Sequence, residues 1–418
     1  MNILVLNAGS SSLKFRLFQM ANSPSLSEPE EVLAGGRIEC IGEPHARLTI
    51  SHGAPDMSHS EKVSVTSAAE AVVEILRRLS VPTDDGHQLP AIDVVGHRIV
   101  HGGARFHEPV LLEDEVIREI RALTELAPLH NSAGLAGIES IRNALPHARN
   151  VAVFDTAFHH NLPEVAARYA LPIDLAERLQ LRRYGFHGIS YRFVSERLSV
   201  LLENRPGQRP PTRIVICHLG SGASVCAIRS GKSVDTSMGF TPLEGLIMGS
   251  RSGDLDPGLV LHLQRKERLT VDQIDELLNH RSGLQGLSRR SGDVRELEQA
   301  AADGHQSSRL ALECFAYRVR KYIGAYAAVL GGIDVLVFTG GIGEHSPQMR
   351  SRICQELAFL GLVIDAERNG KATGDVPVPI CCADANNIWV VPTDEERQIA
   401  RETFALLNQF STVVGTKD

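Results

Sequence analysis

Two glycine- and serine-rich breaks between apolar runs are the first places where this chain could do chemistry. Ile214-Val215-Ile216-Cys217 gives way to His218-Leu219-Gly220-Ser221-Gly222-Ala223-Ser224 and resumes as Val225-Cys226-Ala227-Ile228. The N-terminus repeats the arrangement: residues 3 to 6 are apolar, Asn7-Ala8-Gly9-Ser10-Ser11-Ser12 follows, and residues 13 to 18 read Leu-Lys-Phe-Arg-Leu-Phe. Strand, small-residue turn and strand in succession make a β-hairpin. A turn without Cβ atoms lets main-chain N–H groups close on an anion, and several such donors make a phosphate nest. Beyond the second hairpin, residues 235–245 and 248–258 crowd glycines, hydroxyls and carboxylates around one arginine, Arg251. That is the composition of a ligand-lining loop system.

The common phosphate fingerprints do not account for these breaks. Gly231-Lys232-Ser233 supplies the end of a P-loop, but Cys226 stands where its first glycine belongs. A dinucleotide fingerprint starting at Gly220 fails because Val225 replaces its third glycine. H-E-x-x-H, the G-x-S-x-G elbow and the protein-kinase signature set are all missing from the sequence. What remains is a phosphate cradle built from hairpins.

The elements that must position these residues follow from pattern. A chain of 418 residues is too long for one ordinary core and suggests two or three domains; its 43% apolar content suffices to fill them. Asn7 and His218 stand 211 positions apart, about half the chain, so the matching turns imply an internal duplication with one hairpin opening each half. Further buried-looking strands end in polar residues or glycines: 90–99 at His101-Gly102-Gly103, Val151 to Phe154 at Asp155-Thr156, Val335 to Thr339 at Gly340-Gly341, and Trp389 to Val391 at Pro392-Thr393. Functional side chains of open α/β sheets gather at such strand ends. Helical spacing appears over 67–79, 114–126, 133–144, 190–203, 261–266, 271–279, 309–330 and 395–407, with a turn at Leu129-His130-Asn131 and a loop over 21–31. Strands alternating with helices make the class α/β.

The formal charge of −7, with no basic block, argues against a nucleic-acid partner. No apolar run reaches the roughly eighteen residues of a membrane span, and the N-terminus does not read as a signal peptide. Seven cysteines without C-x-x-C spacing read as reduced core thiols in a cytoplasmic protein.

Asn7-Ala8-Gly9-Ser10-Ser11-Ser12-Leu13-Lys14 resembles the N-terminal signature of acetate kinases, and Asp235–Gly239 with Thr241–Gly245 resembles their second signature. The resemblance runs over essentially the whole chain, in order and at compatible spacing. It implies two duplicated domains similar to actin, ribonuclease H, sugar kinases and the Hsp70 ATPase, with a cleft between them. The expected division is 1–157 completed by 392–418, and 158–391 as the nucleotide-binding domain. The implied activity is reversible phosphoryl transfer between ATP and acetate, giving acetyl phosphate and ADP, with Mg2+ (or Mn2+) as cofactor in a homodimer. The alternatives are a propionate kinase of the same family and a non-catalytic actin-like nucleotide switch.

Residue roles follow from the same resemblance. Arg98 and Arg251 are expected to hold the acyl carboxylate and the transferring phosphoryl, since guanidinium forks match planar oxyanions. A lone arginine is more often a surface ion-pair partner; the motif context reverses that reading here. His187 is expected near the equatorial oxygens, whereas His97, His101, His159 and His160 are read as structural. Asp155 is assigned to metal or water positioning, because an acyl carboxylate is already ionised at neutral pH and needs no base. Asn7 and Glu395 are the expected metal residues, with Glu396 as the nearby rival. Val100, Leu129, Phe186 and Pro242 are the expected acyl pocket. Lys14, His218, Leu219, Gly220, Ser221, Gly222, Asp293, Val294, Arg295, Gly341, Ile342, Gly343, Glu344 and His345 are the expected nucleotide residues. The family usually has asparagine where Ser221 stands and often where His345 stands; serine shortens the reach of that hydrogen bond.

Overall fold

The computed structural model describes residues 1–9, 11–21, 30–53, 58–82, 88–125, 128–203, 211–382 and 387–414, with the side chains of 125–130 and 410–414 left aside. The chain divides into two compact units, Met1–Ala157 with Asp394–Asp418 as unit 1 and Phe158–Thr393 as unit 2.

Unit 1 is built on an eight-stranded sheet: β1 (Asn2–Ala8), β2 (Ser12–Gln19), β3 (Glu31–Glu39), β4 (Arg47–His52), β5 (His59–Lys62), β6 (Val94–Ile99), β7 (Val110–Leu111) and β8 (Arg149–Phe154). The spatial order is β5-β4-β3-β2-β1-β6-β8-β7. β1 and β2 form the expected antiparallel hairpin, with Asn7 opposite Lys14, while β1, β6 and β8 run parallel. β1 is a continuous apolar run because it is covered on both faces. On one face Ala71, Val72 and Ile75 of helix Ala68–Leu79 and Ile141 of helix Pro128–Ala144 join Leu4, Leu6, Phe15 and Val95 in a single core. Helix Glu395–Val414 lies on the other, so close that a Cβ at Gly96 would meet Thr403 Oγ1 at 2.6 Å.

Unit 2 carries a six-stranded sheet: β9 (Arg213–Leu219), β10 (Ala223–Arg229), β11 (Lys232–Thr236), β12 (Val335–Thr339), β13 (Val378–Pro379) and β14 (Ile388–Val390), in the order β11-β10-β9-β12-β14-β13. Its first five positions repeat β3-β2-β1-β6-β8 strand for strand: an antiparallel meander of three, then two parallel strands added beside the first. The duplication read from two turns therefore extends through each sheet.

Three expectations need correcting. The strands β3, β4 and β5 were not anticipated: Gly35-Gly36 and alternating polar residues weaken their pattern, and β5 is an edge strand with a largely exposed face. Leu129-His130-Asn131 is no separate turn but part of the first turns of helix Pro128–Ala144. The glycines after β12 open a short helix, Gly340–His345, where a loop was expected.

Candidate active site

In unit 1, the chemistry collects at the carboxyl ends of three neighbouring parallel strands. Asn7 stands near the end of β1, Arg98 near the end of β6, and Asp155 directly after β8. Arg98 Nη2 donates to Asp155 Oδ2 at 2.6 Å and Nη1 donates to Asn7 Oδ1 at 3.2 Å. The Asn7 amide donates onward to Glu395 Oε2 at 3.0 Å and Glu396 Oε1 at 2.8 Å, both in the first turn of helix Glu395–Val414. Burial opposes the charge on Arg98, but Asp155, Glu395 and Glu396 outweigh it and hold its pKa above the ordinary value. Asp155 is fully buried, and its Oδ1, like Arg98 Nε, has no hydrogen-bond partner among the described residues. A buried carboxylate oxygen without a partner is costly unless a further group belongs there.

That orphaned oxygen is the test for a metal. No group of three or more His, Cys, Asp or Glu that could hold an ion is found among the described residues. Mg2+ needs fewer: one or two protein carboxylates suffice when phosphate oxygens and water complete its shell. Asp155 and Glu395 fit such an ion. Asn7 instead gives its oxygen to Arg98 and its amide to the two glutamates, which suits it to orienting Glu395.

In unit 2, the turn after β9 is closed by the Gly220 N–H donating to Gly222 O at 3.0 Å. A Cβ at Gly222 would lie 3.5 Å from His187 Nε2 and 3.8 Å from Arg251 Nη1, so an imidazole and a guanidinium converge on this glycine. His187 has φ +58°, an uncommon conformation for a residue with a Cβ. Its Nδ1 shares a 2.8 Å hydrogen bond with Ser224 Oγ, which meets the Tyr191 hydroxyl at 2.5 Å. Its ring stacks on His218 with centroids 4.2 Å apart, and His218 Nδ1 is bonded to Ser190 Oγ at 2.8 Å. Arg251 Nη1 donates to Pro242 O at 3.3 Å, and no carboxylate among the described residues pairs with Arg251. Burial lowers its pKa.

The loop that carries Arg251 is laced to a helix. Leu284 and Gln285, in helix Gly283–Ser288, donate their N–H groups to Met248 O and Gly249 O at 2.8 and 2.9 Å, and Gly249 N–H reaches Ser221 O at 3.0 Å. Gly283 has φ +63°, and a Cβ there would fall 2.3 Å from Met248 O, so the lacing requires glycine. Beside it lies a pocket of about 580 Å³ lined by Gly220, Ser221, Asp293, Val294, Arg295, Gly341, Ile342 and His345, all expected from sequence. Gly249, Ser250, Gln285, Gly292, Glu298 and Ser346 complete the lining without having been named for it. Gly249 and Ser250 lie in the ligand-lining stretch already singled out, whereas Glu298 gives no local signal. A volume of this size falls within the range of small-molecule and cofactor sites.

Other expected residues have different surroundings. Glu344 turns inward, accepting from Gly340 N at 2.7 Å, Thr393 N at 3.0 Å and Thr339 Oγ1 at 3.1 Å, so it secures helix Gly340–His345 from behind. The C-terminal end of that helix is held by Arg350, which is fully buried with no carboxylate partner among the described residues and donates to Gly343 O at 2.9 Å and Glu344 O at 2.7 Å. Gly343 packs against the end of β12, and His218 and Leu219 are buried at the end of β9. Lys14 is exposed on β2. Val100 in unit 1 and Phe186 in unit 2 are buried, Pro242 is half-buried, and the side chain of Leu129 lies outside the described residues. Among the histidines read as structural, His97 bonds Asn150 Oδ1 at 2.8 Å, and His159 bridges Ser233 Oγ at 2.8 Å and Phe186 O at 3.0 Å.

Known proteins match the chain over nearly its full length. Residues 2–401 match the model of the acetokinase family. An acetate kinase of Dictyoglomus thermophilum is 46% identical over 412 residues, covering 98% of this chain and 100% of that protein. The crystal structure of Porphyromonas gingivalis acetate kinase superposes with a TM-score of 0.85 at 42% identity, covering 97% of this chain and 99% of the other. A propionate kinase from Francisella tularensis gives a TM-score of 0.85 at 37% identity, covering 96% and 98%. With its duplicated sheets, its strand-end arginine and its glycine-rich hairpin turns, the chain belongs to the acetokinase family.

Proposed function

We propose that this protein transfers a phosphoryl group reversibly between ATP and acetate. The observation that carries the reading is Arg251, a partly buried guanidinium with no carboxylate partner among the described residues, converging with His187 on a glycine turn. A cation shielded from water and without a counter-ion favours the arrival of an anion, and two converging donors suit the equatorial oxygens of a phosphoryl in transit.

In the forward direction an acetate oxygen attacks the γ-phosphorus as the bond to the bridging oxygen of ADP breaks. No proton need move, because the acid is already ionised. The transition state is loose and asks for alignment and charge stabilisation. Unit 1 supplies Arg98 for the acyl carboxylate, oriented by Asp155 and Asn7; unit 2 supplies His187 and Arg251 for the phosphoryl and the pocket for the nucleotide. Asp155 and Glu395 would hold Mg2+, or Mn2+ in its place, which supplies neutralisation of phosphate charge when bound. Phe186 and Pro242 of unit 2 are assigned to the acyl methyl, and the family resemblance adds Val100 and Leu129 to the same role.

The higher identity to the Dictyoglomus and Porphyromonas acetate kinases, 46% and 42%, than to the Francisella propionate kinase, 37%, supports acetate as the acid. All seven cysteines are free thiols, which supports a reducing, cytoplasmic setting. No helix among the described residues is long and apolar enough to cross a membrane. Helices Pro257–Glu267 and Val271–His280 bury no side chain and expose Leu259, Leu261 and Val271, which supports assembly as a homodimer.

Trapping the product with hydroxylamine tests the activity directly. With ATP and Mg2+, acetate should give acetyl hydroxamate faster than propionate or butyrate. ATP binding without acyl phosphate from any acid would overturn the reading, and faster turnover of propionate would reassign the substrate.

A further inference from the structure

Tyr169, Arg183 and Glu244 have no role in the scheme above, yet they form a closed cluster between two stretches of unit 2 that do. Arg183 precedes Phe186 and His187; Glu244 follows Pro242. Arg183 Nη1 donates to three successive main-chain carbonyls, Thr236 O at 3.0 Å, Ser237 O at 3.3 Å and Met238 O at 3.0 Å. Its Nη2 donates to Glu244 Oε1 at 2.6 Å. The Tyr169 hydroxyl donates to Glu244 Oε2 and accepts the Phe240 N–H at 2.8 Å. The guanidinium also lies 5.7 Å from the centroid of the Tyr169 ring.

The cluster closes over Gly239, where a Cβ would fall 1.7 Å from Glu244 Oε2 and 2.1 Å from the Tyr169 hydroxyl. Gly239 O in turn accepts the N–H groups of Tyr184 at 3.1 Å and Gly185 at 3.3 Å. Beyond Glu244 the loop is tied again, with Gly245 N–H donating to Asp254 Oδ1 at 2.8 Å and the Tyr322 hydroxyl to Asp254 Oδ2 at 2.9 Å. Loop 236–245 is thus fastened at both ends. Between the fastenings sits Pro242, whose carbonyl receives Arg251.

We infer that Tyr169, Arg183 and Glu244 are positioning residues that pin loop 236–245 to segment 183–187, setting the acyl-pocket walls at Phe186 and Pro242 and hence the choice among short carboxylates. The inference rests on the proposed acyl role of Phe186 and Pro242. Packing alone would not need it: the pin spends charged and hydroxyl groups on main-chain atoms of these two stretches, which fixes their separation directionally. One methylene in an apolar pocket is worth about 10–200-fold in discrimination, so a small relaxation of these walls is measurable.

Tyr169→Phe keeps the ring and deletes only the bridging hydroxyl. Initial rates with varied acetate, propionate and ATP should show the KM for acetate rising about 5- to 10-fold, the KM for ATP changing less than about twofold, and the acetate-to-propionate ratio of kcat/KM falling about 3- to 10-fold. Glu244→Gln, which weakens both bonds to the carboxylate, should shift the same ratio in the same direction, and thermal melts of both variants report folding. Phe186→Ala tests the pocket independently. An unchanged acid preference in Phe186→Ala would overturn the pocket assignment. A shifted preference there with none in Tyr169→Phe or Glu244→Gln, or a loss spread equally over acetate and ATP, would overturn the pin while leaving the pocket in place.

Discussion

Arg251→Met should remove most of the turnover while leaving the fold about as stable as before, and the reasoning lies in what surrounds the guanidinium. Its protein partners are Pro242 O at 3.3 Å and Met248 Sδ at 3.8 Å. Burial lowers its pKa. A base whose folded pKa is lowered is charged less favourably in the folded chain than in the unfolded one. At neutral pH, well below both values, Arg251 therefore subtracts from stability. Methionine forfeits one long hydrogen bond, about 0.5–1.5 kcal/mol, and a weaker one to sulfur, and relieves that desolvation, so the net change should stay within about 1 kcal/mol. Arg98→Met is the contrast. Its pKa is raised, its 2.6 Å bond holds a fully buried Asp155, and truncation leaves that carboxylate unpaired at a cost of about 3–5 kcal/mol. On activity, a donor aimed at developing charge is worth about 10²–10³ in kcat, and an arginine on a transferring phosphoryl about 10³–10⁵. Hydroxamate rates alongside urea unfolding of both variants decide the matter. A loss above about 3 kcal/mol for Arg251→Met, or a kcat within about tenfold of the parent, would refute the argument.

Other perturbations give separate readouts. Gly222→Ala places a methyl at ordinary contact distance from His187 Nε2 and Arg251 Nη1; the melting temperature should hold while kcat/KM falls at least about tenfold, as one extra carbon occupies the place of a phosphoryl oxygen. At Gly341 a Cβ meets nothing within 4 Å, and the residue lines the 580 Å³ pocket; Gly341→Val should raise the KM for ATP several-fold and leave that for acetate unchanged in steady-state kinetics. Burial pushes His97 and His159 down to about 4 from 6.5. The unfolded chain then binds protons that the folded chain refuses, so stability should fall as pH drops from about 6.5 towards 4, by on the order of 1 kcal/mol per pH unit for each histidine. Urea midpoints at pH 7, 6 and 5 measure this, and His97→Gln should flatten the slope.

Much of this architecture could be read from the chain because its signals are local. The hairpins declare themselves through small-residue turns between apolar runs, and the two turns align across the duplication. Arg98 and Asp155 stand at strand ends, where a parallel sheet presents its functional groups. Less visible were features that depend on contact between distant segments. β3 to β5 lack strong alternation, and Gly35-Gly36 reads as a breaker until the chain is seen to approach within a Cβ radius of Thr49 O. Helix Gly340–His345 hides behind two glycines, since its start depends on Glu344 and Thr393 holding it. Glu298 in the pocket wall and Tyr169 in the pin come from segments with no motif of their own. The role of Asn7 as a bridge from Arg98 to both Glu395 and Glu396 spans 388 and 389 positions and has no sequence signature.

The order in which the chain is made bears on when it can work. Unit 2 is one continuous stretch, whereas the helix that covers the sheet of unit 1 is encoded after all of unit 2. On the ribosome, β1 to β8 emerge first and wait for Ile399 and Thr403 to close over Gly96. Translating 158–393 takes roughly 12–47 s at about 5–20 residues per second, and for that time one apolar face of the nascent sheet is uncovered. Chaperone engagement should concentrate in this interval. The same late helix brings Glu395 and Glu396 to Asn7, so on the assignment proposed above this corner of the site is completed only after unit 2 has been made.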